Sequence, residues 1–122
     1  MIKFLAMTAA LSIGLTTVSV AKDETFKIGL SNGFVGSEWR TQMIEEAQAA
    51  AAAWAEKGVK VEVVVQSGNV DVQGQIGHVR NFINQDVDAI IINPGSPTAF
   101  NPVFKQAKAA DILVVATDAE VS

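Results

Sequence analysis

Residues 26–65 read FKIGLSNGFVGSEWRTQMIEEAQAAAAAWAEKGVKVEVVV, a short apolar run, a long helical stretch and a second apolar run in immediate succession. Phe26 to Leu30 carries β-type residues. From Ser37 to Lys57, the residues Trp39, Met43, Ala47, Ala50 and Trp54 recur at intervals of four, four, three and four, which predicts a helix with one buried face. Gly58 stands where a helix ends in a left-handed residue, and Val59 to Val65 resumes as a strand. Strand, helix and strand in that order predict a parallel pair joined by a right-handed crossover.

The alternation continues toward the C-terminus. Ala89 to Ile92 and Ile112 to Val115 are two further apolar runs. Between the runs, Val72, Ile76, Val79 and Ile83 mark the inner face of a second helix. Phe100, Val103, Phe104, Ala107 and Ala110 do the same for a third. Lys60 and Glu62 alternate with valines in the second strand, so that strand reads as an edge, whereas the continuously apolar third and fourth read as interior. Gly74 and Gly77 inside the second helix should each cost about 1 kcal/mol relative to alanine, and nothing in the sequence explains them. The whole predicts an α/β fold, a doubly wound parallel sheet of order 2-1-3-4. In such sheets ligands bind beyond the carboxyl ends of the strands, where the strand order reverses.

Length and composition set the bounds. With 122 residues, 49% hydrophobic and 18% charged, the chain has room for one compact core. Met1-Ile2-Lys3, the uncharged stretch Phe4 to Val18 and the small residues of Ser19-Val20-Ala21 read as a signal peptide over 1–21, cut after Ala21. Its apolar run of about 15 residues is shorter than the roughly 20 a membrane-spanning helix needs. There is no cysteine for a disulfide or a lipid anchor. Removing Lys3 with the leader takes the net charge from −4 to −5, which argues against a nucleic-acid partner.

The crevice positions hold the candidate ligand contacts. Ser31 to Arg40 groups Asn32, Phe34, Glu38, Trp39 and Arg40; Asn93 closes the third strand and Asp118 follows the fourth. Amide, carboxylate and guanidinium groups suit sugar hydroxyls, and aromatic rings suit the C–H faces of a sugar ring. Four of these residues also have a plainer reading, whereas Phe34, in its glycine-flanked loop, has none. Trp39 begins the helix stripe, Asn93 is placed for an Asx-turn, Asp118 for a turn, and Arg40 for a surface pair with Glu38 or Glu45. The Gly33 to Gly36 loop lacks the dinucleotide fingerprint and the phosphate-loop lysine. The single histidine, His78, falls off the second helix's stripe and is expected to face water. Asp86 and Asp88, at the amino end of the third strand, read as turn residues. No nucleophilic elbow or metal-ligand spacing is present, so neither catalysis nor a cofactor is expected.

Taken together, Val35-Gly36-Ser37-Glu38-Trp39-Arg40-Thr41, Val87-Asp88-Ala89-Ile90-Ile91-Ile92-Asn93-Pro94 and the stretch Pro102 to Asp118 resemble the periplasmic sugar-binding proteins of ABC importers, of the ribose and galactose type, and among them the galactofuranose binders. The resemblance runs from Phe26 to Asp118. It implies two similar α/β lobes with a monosaccharide held between them and delivered to a permease. It makes residues 22–122 the N-terminal lobe, with the second lobe absent from the chain, and Asn32, Phe34, Trp39, Arg40, Asn93 and Asp118 sugar contacts. Ala119 stands where many such proteins have arginine. A periplasmic sensing module for a chemoreceptor or kinase would use the same lobe, and a truncated remnant is the further alternative.

Overall fold

The structure is a computed structural model that describes residues 24–119 and Val121; the expected leader lies outside the described residues. The order is β1 (Thr25–Asn32), α1 (Glu38–Glu56), β2 (Lys60–Ser67), α2 (Val72–Asn84), β3 (Ala89–Ile92), α3 (Asn101–Ala109) and β4 (Leu113–Ala116). All strand pairs are parallel, in the order β2-β1-β3-β4, as the sequence predicts. β1 runs two residues further than its apolar pattern, so Ser31 and Asn32 pair with Gln66 and Ser67 inside the sheet.

The two faces of the sheet are filled unequally. α2 and α3 cover one face, where Ile76, Val79, Phe82, Ile90, Ile92, Phe100, Val103 and Ala107 form the buried core. Phe82 lies outside the spacing that marked the inner face of α2, yet it is fully buried. Gly29 receives its ring: a Cβ there would lie 2.5 Å from Phe82 Cγ. Ala110, expected in the core, is exposed, because α3 ends at Ala109 and the chain turns away.

On the other face the expected buried stripe of α1 is not realised, since no residue of that helix is buried. Trp39 is 49% exposed and Trp54 51%. A groove of about 400 Å³ separates the helix from the sheet, lined by Ala47 and Trp54 on one side and Phe26, Val61, Ala89 and Ile91 on the other. β4 is an outer strand of the described sheet, not an interior one. Leu113 and Val115, in register with Ala89 and Ile91, point to this same face and stand open, Leu113 at 64%. Continuous apolarity of a strand reports that both faces are apolar, not that both are covered.

All three helices among the described residues stop in the same way. Gly58, Asp86 and Asp111 follow the C-caps with φ of 84°, 50° and 58°. Their N–H groups bond Ala55 O, Ile83 O and Lys108 O, and the next residues, Val59, Val87 and Ile112, bond Trp54 O, Phe82 O and Ala107 O. This double closure is the Schellman motif, with an apolar residue in its last position each time. Gly74 has a steric reason as well: a Cβ there would meet Val70 Cβ at 2.6 Å.

Candidate sugar-binding crevice

At the carboxyl end of β1, Asn32 is fully buried. Its Nδ2 donates to Phe34 O at 2.8 Å and to Ser67 Oγ at 3.0 Å, while its Oδ1 accepts from Arg40 Nη1 at 3.2 Å. The side chain thus ties the ends of β1 and β2 to the first turn of α1. Its amide is engaged in this frame because β1 extends through residue 32. The following loop is anchored to the loop after β2: Val70 N–H bonds Gly33 O at 3.1 Å and Val35 N–H bonds Asn69 Oδ1 at 3.0 Å.

At the ends of β3 and β4, Asn93 is 7% exposed, and its Nδ2 donates to Thr117 O at 3.0 Å and to Asp118 Oδ2 at 3.2 Å. Asp118 is exposed and sits at φ 58°. Of the three positive-φ aspartates among the described residues, Asp118 alone does not close a helix. A non-glycine residue held in that region away from a cap is the kind of local strain that gathers at binding sites.

Arg40, Asn93 and Asp118 line one open concavity of about 490 Å³ with Gly95 and Ser96. A second, of about 330 Å³, adjoins it and is lined by Phe34, Arg40, Asn93, Asp71 and Gln75. The fold therefore brings together four of the seven residues singled out from the sequence: Phe34, Arg40, Asn93 and Asp118. Asn32 lies beneath them. Glu38 faces a separate acidic hollow with Glu45 and Glu46. Trp39 is half-exposed beside the Arg40 guanidinium, whose carbon lies 5.1 Å from the ring centroid.

Two residues were not legible as parts of this end of the molecule. His78, expected to face water, is half-buried against β1 with Nδ1 2.9 Å from Ser31 Oγ, and desolvation lowers its pKa from the usual 6.5. It falls off the apolar stripe because its partner is a hydroxyl. Gln75 is 2% exposed, and its side chain bonds the loop after β3. A polar residue among apolar ones was the available signal, readable only with its partner known.

Amide, guanidinium and carboxylate groups gather beyond the strand ends of an open parallel sheet, where the order turns from β1 to β3, the place at which sheets of this class bind ligands. Residues 28–122 match the family of the periplasmic binding protein domain, and the chain belongs to that family. It is 33% identical to the galactofuranose-binding protein YtfQ of Escherichia coli K12 over 98% of this chain and 35% of that protein. To the D-xylose-binding periplasmic protein of Haemophilus influenzae it is 32% identical, over 87% of this chain and 31% of the relative. Among solved structures, the periplasmic binding protein component of the arabinose ABC transporter from Shewanella sp. ANA-3, bound to α- and β-L-arabinofuranose, superposes with a TM-score of 0.69. It is 35% identical, over 79% of this chain and 30% of that one. The chain thus spans about a third of the length of these relatives.

Proposed function

We propose that this chain is the N-terminal lobe of an exported binding protein that holds a monosaccharide reversibly in the periplasm and delivers it to an ABC permease, without chemistry of its own. The observation that carries the reading is the convergence of Arg40, Asn93 and Asp118, from three separate elements, on one concavity at the strand ends. Arg40 offers planar donors, Asp118 offers acceptor lone pairs, and the exposed face of Phe34 offers a surface for a sugar's C–H groups. Asn93 holds Asp118 at the β4 end, and Asn32 holds Arg40 at the β1 end. Arg40 and Asp118 are therefore oriented before a sugar arrives, which reduces the ordering cost of binding. Relatives named for galactofuranose, xylose and arabinose binding support a pentose or hexose ligand.

Titration calorimetry on the product of the complete native reading frame, with L-arabinose, D-galactose, D-xylose and D-ribose, tests this. Saturable one-site binding of at least one sugar is the expected result. No binding tighter than a Kd of about 1 mM across the panel would overturn it.

A further inference from the structure

We infer that Gln75, which closes the first turn of α2, is the positioning residue that sets the crevice loop after β3. The inference rests on the sugar-binding reading for its consequence, but not for its geometry. Gln75 Nε2 donates to Asn93 O at 2.8 Å, and Gln75 Oε1 accepts from Gly95 N–H at 2.9 Å. One side-chain amide thereby brackets Pro94, matching a carbonyl and an N–H two residues apart as a neighbouring strand would. The same side chain fills the space beside Gly33, where a Cβ would lie 2.8 Å from Gln75 Cδ. It thus fixes the loop after β3 against the loop after β1, and these loops carry Asn93 and Phe34.

At neutral pH an amide suits this bracket and a carboxylate does not. The loop presents one acceptor and one donor, so the bracket must supply a donor and an acceptor from one planar group, a pairing offered by glutamine, asparagine and a protonated carboxylic acid. Asparagine is one methylene too short to keep both bonds from the same backbone position. A carboxylate would set negative charge against Asn93 O and leave that carbonyl without its donor. Burial at 2% leaves almost no room for water to substitute.

The test compares Gln75→Glu, Gln75→Met and the parent in the complete native product, measuring sugar affinity and Gly95 amide exchange from pH 5 to 8. At pH 8, Gln75→Glu should bind the panel sugar about 10-fold or more weakly, with faster exchange at Gly95. As pH falls, the introduced carboxyl, raised by desolvation, takes up a proton and becomes donor and acceptor again, so affinity and protection recover toward the parent. Gln75→Met should be impaired at every pH. The parent profile, run in parallel, controls for the other ionisable groups around the bracket: Asp71 at the N-cap of α2, His78 on α2, and Arg40 and Asp118 across the crevice. Parent-like affinity in both variants, or a loss in Gln75→Glu that does not recover on acidification, overturns the inference. If the parent itself binds no sugar, the proposed function fails, and Gly95 exchange alone decides for or against Gln75: unchanged protection in both variants refutes it.

Discussion

The ring of Phe82 occupies the place where a side chain on Gly29 would stand, so helix α2 lies on β1 only because position 29 has no Cβ. Gly29→Ala should therefore destabilise the fold by about 1–3 kcal/mol, through displacement of a fully buried ring. Thermal unfolding followed by circular dichroism should show Tm falling by roughly 5 °C or more. Adding Phe82→Leu should cost less in the Gly29→Ala background than in the parent, because the two changes share one contact. Strict additivity would refute the steric account.

The helix stops predict two substitutions of opposite sign. Gly58→Ala meets no atom within 4 Å, yet φ is 84°, so conformation alone should cost about 1–2 kcal/mol. Asp111→Gly, at φ 58° in the equivalent cap, should be neutral or stabilise by up to about 1 kcal/mol. Urea midpoints compared at constant slope would measure both. A destabilised Asp111→Gly would mean that its carboxylate has a role the cap does not require.

In the complete native product, Phe34→Ala, Arg40→Ala and Asn93→Ala should each weaken sugar binding, on the order of 10-fold for the hydrogen-bonding pair. Phe34 is half-exposed, so its truncation should change stability by no more than about 0.5 kcal/mol, whereas Asn93→Ala also frees Thr117 O and loosens the β4 end. Calorimetric titrations with unchanged affinity in all three variants would remove the site from this end of the sheet.

His78 predicts a pH dependence of stability. Its pKa is lowered in the folded state by burial, so the unfolded chain binds the proton more tightly. The contribution is complete above pH 6.5, the unfolded value, and is lost as pH falls below it toward the folded pKa. The difference in unfolding free energy between the parent and His78→Gln should narrow on acidification from pH 7.5 to 5. A difference that is flat with pH would mean that His78 titrates alike in both states.

The strand order was legible because Lys60 and Glu62 reveal an edge and the crossovers have one hand. Burial was less so. Trp39 to Trp54 show which side of α1 is apolar, but periodicity cannot tell whether anything lies against that side. Phe82 was missed because it depends on the absence of a side chain at Gly29, 53 positions away in the chain. The site was legible as an address more than as a set of roles. Asn32 and Asn93 are the same residue type at equivalent strand ends, yet one is wholly enclosed by Ser67, Phe34 and Arg40, while the other sits at the crevice lining. Gln75 and His78 were invisible for the complementary reason, since each is defined by distant polar partners, two backbone groups of the loop after β3 for Gln75 and the Ser31 hydroxyl for His78.

The Schellman closures give the fold two ends with different histories open to them. Val59, Val87 and Ile112 each finish a helix and stand within two residues of the next strand, so a single residue inserted there would shift the strand by one and turn its apolar side chains to the wrong face. At the opposite end, the segments 33–37, 68–71 and 93–100 enter helices without a Schellman closure, held instead by side-chain and loop–loop hydrogen bonds. Insertions, deletions and exchanges can accumulate there while the sheet keeps its register. A family built on this plan can diversify what it recognises at one pole, and the other pole holds the reading frame of the fold.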